Sequence, residues 1–418
     1  MRILFLAHRL PYPPNKGDKI RSFWELSTLG ASHEVDLFCF YDDPQDKLHI
    51  SSLRNYCDSC YAEPISPLTS RARALSALMS GRSFSPAFYY SRTMAKRVAE
   101  AVQRKSYDLA FVFGSSMAQY AEPWPKWPKI LDLVDVDSDK WAQYADRSRP
   151  PLSWIWRLES RRLQSWEREL VETFSNTLVC TDAEARLLRS EAPIGEINVL
   201  QNSVDTDYYR PDAITIPETI QCLQPYVVFT GSMDYFPNVD AVRFFAREVL
   251  PLVRKQIPNL SFVIAGRKPA PEVGRLVESD SSIVVTGEVR DTRPYLRGAS
   301  VAVAPMRIAR GVQNKILEAL SMDVPVVASP IAAAALPKEL VSLVAVDGEP
   351  AQIAARVKDY VLNPPRPGAR RAFLRRFLEL LNLPAQLEQL VKAAAAPAAQ
   401  ERGDKLQVLF KSKWKAAL

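Results

Sequence analysis

Cysteine is scarce in this chain of 418 residues: five are present, an odd number too small for a disulfide framework. That scarcity excludes the small disulfide-stapled class and is read as a reducing compartment. No apolar stretch approaches the roughly 20 residues that a spanning helix needs. The opening MRILFLAHRLPYPPNKGD holds only a short apolar run, residues 3–7, ended by Pro11, Pro13 and Pro14, so no secretory signal is expected. No two glycines stand as G-x-G, which counts against a dinucleotide fingerprint and hence against an NAD-dependent dehydrogenase. The P-loop pattern G-x-x-x-x-G-K-[ST] is also missing, and His33-Glu34 lacks the second histidine of a zincin. Cys57 and Cys60 form a lone C-x-x-C with no further ligands nearby, read as packed thiols rather than a metal or redox pair. Large charge excess is lacking too. Fifty-four Lys+Arg against 47 Asp+Glu leave +7, which permits anionic partners without indicating nucleic acid. No nucleic-acid module is visible.

What the chain does have is an ordinary globular composition, 47% hydrophobic and 24% charged, and enough length for two or three domains. Short apolar runs alternate with longer helical patterns. Strands are expected at 2–7, 35–40, 109–113, 130–134 and 177–180, then at 226–229, 261–265, 283–285, 301–304 and 324–328. Helices are expected at 22–29, 94–105, 239–256, 314–322 and 369–381, with a short one after Pro384. Unbroken apolar runs of four to six residues suit parallel strands buried on both faces. The fold class is therefore α/β, with two Rossmann-like doubly wound domains facing a cleft. The polar, non-periodic stretch 198–225 marks the boundary. The expected organisation is an N-terminal domain at 1–205, a C-terminal domain at 206–375, a helical segment at 376–395, and a low-complexity, basic, poorly ordered tail at 396–418. In doubly wound domains ligands bind beyond the carboxyl ends of the strands, so loops there are the place to seek chemistry.

The most informative segment is ARGVQNKILEALSMDVPVVASP, residues 309–330. A strand ends at Pro305, a polar loop follows, and Asn314 opens a helix. Backbone amides at a helix start, with the helix dipole, attract a diphosphate. Arg307, Arg310 and Lys315 surround that turn with positive charge. Glu318 lies four residues after Asn314, on the same side, where its carboxylate could accept two hydrogen bonds from a ribose diol. An ordinary amphipathic helix with a solvated glutamate fits equally. Asp135 and Asp137 directly follow a strand as D-x-D. They suit a carboxylate meeting a substrate hydroxyl at the cleft rim, or simple N-capping of the next helix. In the first loop, Gly17 allows close backbone approach, or makes a plain turn before a helix capped by Asp18. His8 ends the first strand and is either a cleft group or a structural histidine.

These segments resemble the GT-B-fold retaining glycosyltransferases of family 4. The 309–330 helix resembles that family's E-x7-E segment, followed by L-E-A and P-V-V-A-S. VLQNSVDTDYYRP resembles its inter-domain N-G-V-D motif, and VCTDAEARLL the segment before it. FTGSMDYFPNVDAVRFF, VIAGRKPAPEV and VVTGEVRD look like successive strand–loop units of its C-terminal domain. The opening LAHRLPYPPNKGDKIR and the run DLVDVDSDKW are similar to the sugar transferases that accompany bacterial PEP-CTERM/exosortase systems.

The resemblance implies a donor site for a nucleotide-sugar at Gly231, Ser232, Gly266, Arg267, Arg290, Arg307, Asn314, Lys315 and Glu318, with Glu318 on the ribose. It implies an acceptor side at His8, Lys16 and Gly17, and catalytic roles for Asp135, Asp137 and Arg310. No obligatory metal or other cofactor is implied, because protein cations can neutralise the leaving diphosphate. There are departures. Arg310 replaces the first motif glutamate, so the sugar's identity does not carry over. Ser232 and Asn238 stand in place of the usual phosphate-binding Arg and Lys. Asp135 or Asp137 stands where a catalytic-loop histidine is usual. Asp323 replaces a glycine, which aspartate tolerates with left-handed backbone.

Residues 71–105 carry eight Lys or Arg against one acid, Glu100, with Phe84, Phe88, Tyr89 and Tyr90 interleaved. Trp141, Trp154, Trp156 and Trp166 stand nearby. Such a mix suits an anionic membrane surface; a basic helix with its aromatics packed inward is the alternative. The reading is a cytoplasmic glycosyltransferase, peripheral on the inner face of the cytoplasmic membrane. It would move a sugar from a nucleotide-diphosphate donor to a lipid-linked glycan acceptor in exopolysaccharide biosynthesis. A GT-B nucleotide-sugar epimerase and a non-catalytic GT-B partner are the rivals. The base, the sugar and the oligomeric state are not readable from the chain.

Overall fold

The computed structural model describes residues 1–14, 16–124 and 127–396; the expected basic tail, apart from Ala396, lies outside them. The chain divides into two compact units. The first comprises Met1–Gln201 and the chain from Leu383 onward, the second Asn202–Asn382.

The first unit is built on a seven-stranded parallel sheet. Its strands are β1 (Arg2–Ala7), β2 (Glu34–Tyr41), β3 (Ser59–Pro64), β4 (Leu109–Phe113), β5 (Lys129–Val134), β6 (Asn176–Val179) and β7 (Ile197–Val199). Their order is β3-β2-β1-β4-β5-β6-β7. The order reverses between β1 and β4, so the loops after these two strands diverge at a topological switch point. The central strands RILFLA and LAFVF are almost wholly buried, as expected for strands covered on both faces.

The second unit repeats the plan with β8 (Tyr226–Thr230), β9 (Ser261–Ala265), β10 (Ile283–Gly287), β11 (Val301–Ala304), β12 (Val326–Ala328) and β13 (Val344–Val346). Their order is β10-β9-β8-β11-β12-β13, all parallel. Its switch point lies between β8 and β11.

Every expected strand is present to within two residues at each end. Three strands were not anticipated: β3, β7 and β13. All three are edge strands. An edge strand is half-solvated, so SCYAEP, INV and VAV carry no long apolar run to betray them.

The expected helix at 239–256 is broken. It runs as Phe236–Phe244, a π-helical turn over Phe245–Val249, and Leu250–Arg254. Pro251 lacks the N–H that a continuous α-helix would use there. The expected separate segment at 376–395 is not one piece. The helix Ala369–Leu381 belongs to the second unit and Leu383–Ala395 to the first, the chain crossing at Asn382 in left-handed conformation. Leu383, Leu387 and Val391 on the last helix are buried. The first unit thus begins at residue 1 and is completed by the chain's far end. The second starts at Asn202, inside the polar stretch that marked the boundary.

The thiols behave as packed groups. Cys57 and Cys39 are buried, and Cys57 donates to the Leu53 carbonyl at 3.2 Å. Contact with Cys60 and burial push the Cys57 thiol far up, which makes it a poor nucleophile.

Candidate functional site

In the second unit the residues proposed for a donor gather around the switch point. The β8 strand ends in Gly231, with φ +153°. A Cβ there would lie 2.7 Å from the Asn238 amide nitrogen, and one on Gly266 only 1.7 Å from the Gly231 carbonyl oxygen. These two glycines let the loops after β8 and β9 pack backbone to backbone. They shape the site rather than touch a ligand through side chains.

Asn238 on the helix Phe236–Phe244 is buried and ties the site together. Its amide donates to the Ser232 carbonyl at 2.9 Å, and its Oδ1 accepts from Lys315 Nζ at 2.9 Å. The residue that replaces an expected phosphate-binding cation therefore orients another cation instead. Lys315 Nζ also lies 4.7 Å from the centre of the Phe229 ring. Burial lowers the Lys315 pKa to about 8, against the raising effect of Glu318.

Glu318 sits one turn further on the helix Asn314–Ser321 and is half-buried. Burial raises its pKa to about 7, while Lys315 and a hydrogen bond with Tyr209 pull it back. Glu318 is thus no solvated surface glutamate. Tyr209 escaped the sequence reading, although it lies in the NSVDTDYYRP segment. Asp205 Oδ1 accepts from the amides of Asp207 and Tyr208 at 3.0 and 2.8 Å, folding that segment into a turn. Ser321 Oγ then donates to the Tyr209 carbonyl at 2.7 Å. The turn is what brings a phenol to the carboxylate.

The polar loop between β11 and that helix is internally braced. Gln313 Nε2 donates to the carbonyls of Arg310 and Gly311 at 3.0 and 3.4 Å, and Gly311 has φ +58°. Ser329 Oγ donates to the Met306 carbonyl beneath. Asn314 Oδ1 accepts from Asn202 at 3.4 Å. Arg310 is half-buried in this loop. Arg307 is exposed, and its guanidinium is engaged by Asp240, with Nε 2.9 Å from Oδ2. Arg267 is half-buried next to Gly266, and Arg290 is exposed. A second unanticipated arginine, Arg293, pairs with Asp291 at 2.7 Å and lies 3.7 Å above the Tyr208 ring. Asp323 has φ +59°, the left-handed backbone expected where a glycine is usual, and its carboxylate accepts from the Gly368 amide.

In the first unit the acceptor-side residues form a charged cluster after β1. His8 Nε2 lies 3.3 Å from Asp18 Oδ2, and its ring stacks on Phe113 at 5.6 Å. Gly114, with φ +86°, makes the room: a Cβ there would stand 2.9 Å from His8 Nδ1. Arg9 bridges Asp18 at 2.6 Å and Asp42 at 3.2 Å. Burial would raise the Asp18 carboxyl, but the hydrogen bond to His8 and the charge of Arg9 hold it far below its usual range. Asp18 is therefore a permanent anion that orients His8, rather than a helix cap. Lys16 reaches Asp42 at 4.0 Å, and Gly17 is exposed at the helix start.

Asp135 and Asp137 follow β5 across Val134, a β-branched residue with φ +65°. The Asp135 amide donates to the Leu133 carbonyl at 2.8 Å, closing a tight turn around that strained residue. Asp135 is half-buried and accepts from the Cys180 thiol at 3.1 Å; burial raises its pKa. Asp137 pairs with Lys140 at 2.7 Å in the first turn of the helix Asp137–Arg147. Nearby, burial raises Glu167 to about 8 and Glu184 to about 7. Among the described residues no group of three His, Cys, Asp or Glu could hold a metal ion.

Comparison with known proteins agrees with this arrangement. No curated protein matches the chain by sequence. Similar solved structures include sucrose-phosphate synthase from Thermosynechococcus elongatus, at 15% identity and TM-score 0.61, covering 100% of both chains. A structure described as trehalose-6-phosphate from E. coli bound with UDP-2-fluoro glucose has 12% identity and TM-score 0.65, covering 94% of this chain and 99% of the other. Anabaena HepE in complex with UDP and glucose has 13% identity and TM-score 0.64, covering 94% and 100%. The fold is thus two parallel-sheet, Rossmann-like α/β domains matching GT-B glycosyltransferase structures. Residues 224–363, which carry Asn238, Lys315 and Glu318, match the family model "Glycosyl transferases group 1".

Proposed function

We propose that this chain is a retaining glycosyltransferase that moves a sugar from a nucleoside-diphosphate donor to a lipid-linked glycan in exopolysaccharide biosynthesis. The donor binds the second unit. Glu318 accepts from the ribose diol, and Lys315 with the amides at the start of its helix meets the diphosphate. As the glycosidic bond to the donor breaks, negative charge grows on the diphosphate, and these preorganised donors stabilise it without a metal. Arg310 adds a guanidinium to the loop where the family has a carboxylate, which suits a donor sugar bearing negative charge. His8, held by Asp18, contacts the acceptor in the first unit, and Asp135 and Asp137 complete the reaction site.

The observation that carries the reading is the Asn238–Lys315–Glu318 arrangement at the β8/β11 switch point, inside the stretch that matches glycosyl transferases group 1. Support for the donor class comes from similar structures that hold UDP with glucose or UDP-2-fluoro glucose. Thermal unfolding with UDP, GDP, ADP and TDP, each without metal, tests it. At about 100 times Kd one of the four should stabilise the protein by roughly 2.7 kcal/mol. Glu318→Gln should abolish most of that shift. The absence of any shift, or an equal shift in the variant, would overturn the donor assignment.

A further inference from the structure

The helix Pro67–Met79 is amphipathic the wrong way round for a protein surrounded by water. Its inward positions are small: Ser70 and Ala77 are buried. Its large apolar residues point outward, with Leu68 79%, Leu75 60% and Met79 84% exposed. Positions 68, 72, 75 and 79 recur at helical spacing, so they form one continuous stripe, and Ala72 between them is exposed as well. A surface helix normally turns such a stripe toward the core, and exposed contiguous apolar area marks an interaction site.

A second element extends the face. The helix Leu152–Thr173 leaves Trp154 67% and Leu158 38% exposed. The two helices are joined there, because Arg162 donates to the carbonyls of Leu78 and Arg82 at 2.8 and 3.1 Å. The surrounding charge is of one sign. Arg71 lies three residues after Leu68 and four before Leu75, so it borders the stripe; Arg82, Arg157 and Arg161 are exposed beside it. The acid of this region, Glu159, faces inward and is consumed by Ser83, Phe84 and Ser85.

We infer that this face docks on the surface of an anionic lipid bilayer, Leu68, Leu75, Met79 and Trp154 entering the acyl boundary while the arginines meet phosphate headgroups. Apolar residues on one face with cations at the rim suit an interfacial helix. The aromatics that first suggested membrane contact are mostly engaged elsewhere. Phe84, Trp141 and Trp156 pack on one another at 4.9–6.1 Å, and Tyr89 packs against His8. The aliphatic stripe, not the aromatic cluster, meets the lipid. The inference rests on the proposed lipid-linked acceptor for its purpose, but on the exposed stripe for its geometry.

Flotation of the full-length protein with vesicles tests it. Vesicles of phosphatidylcholine containing phosphatidylglycerol should carry the protein; pure phosphatidylcholine vesicles should carry far less. High salt should weaken the association, since the charge contribution is screened. The double variant Leu75→Glu/Met79→Glu should lower the bound fraction by about tenfold or more, because it both removes apolar burial and adds repulsion. Both sites are exposed, so its melting temperature and its stabilisation by nucleoside diphosphate should match wild type. A separate failure of nucleotide binding would sink the donor assignment and leave the docking face standing. Equal flotation of wild type and variant, or no flotation of wild type on anionic vesicles, would overturn the inference. So would a wild-type dimer that the variant converts to monomer, which would show a second copy covering the stripe.

Discussion

At the scale of single residues, the half-buried pair Lys315 and Glu318 decides how the second unit responds to pH. Burial lifts the Glu318 carboxyl to about 7 from an ordinary value of 4.5. A carboxyl with a raised folded pKa favours the folded state most below its unfolded value, and that contribution fades as pH rises through about 7. Ligand binding runs the other way, because a diol needs the ionised carboxylate. Lowering the pH from 7.5 to 6 should weaken binding of the preferred nucleoside diphosphate roughly tenfold, following the ionised fraction of Glu318. The diphosphate also gains a proton in this range, so calorimetric titrations of wild type and Glu318→Gln must be compared. The wild type should show the steeper dependence; parallel curves would remove Glu318 from the site. The glutamate itself was legible in the sequence from its helical offset to Asn314. Its partner Tyr209 was not, because 109 residues separate them and only the Asp205 turn brings them together.

At the scale of elements, the first loop depends on what β4 leaves open. Gly114 ends that strand in left-handed conformation and leaves space for the His8 ring. Gly114→Ala should cost about 1–3 kcal/mol, from backbone strain and from the collision with Nδ1. Pairing it with His8→Ala should return the collision part and leave the strain part, so the two changes should not add. Urea unfolding of both single variants and the double variant measures this; strict additivity would show that Gly114 does not seat His8. The element pattern itself was largely written in the chain, since central strands need apolar residues on both faces. The edge strands β3, β7 and β13 were not, because pairing on one side only imposes no such pattern. Arg21 and Asp132, buried and 2.6 Å apart across the helix and β5, were equally unreadable: a charge inside an element shows its partner only after folding.

At the scale of the molecule, the first unit is closed by residues far from it in sequence. The last described helix inserts Leu383, Leu387 and Val391, and its Glu388 meets His33 at 2.8 Å. Each such apolar side chain contributes roughly 1.5–3 kcal/mol on burial. A chain ending at Asn382 should therefore lose several kcal/mol of first-unit stability while the second unit keeps its fold. Calorimetry that resolves the two units, or hydrogen exchange followed on β1 and β4, would check this. Unchanged protection of those strands in the truncated chain would contradict it.

The sequence alone determined the α/β class, the two repeated parallel sheets, the central strands and the helix that carries Lys315 and Glu318. These follow from local periodicity and from loop positions after strands, which neighbouring residues suffice to encode. The tertiary structure decided which cations are engaged, as Arg307 is by Asp240, and which neutral residue, Asn238, holds a lysine in place. It also decided that the aromatic cluster packs on itself while an aliphatic stripe is left outside. Pairing, burial and shifted pKa values depend on distances between residues remote in the chain, and folding alone sets those distances.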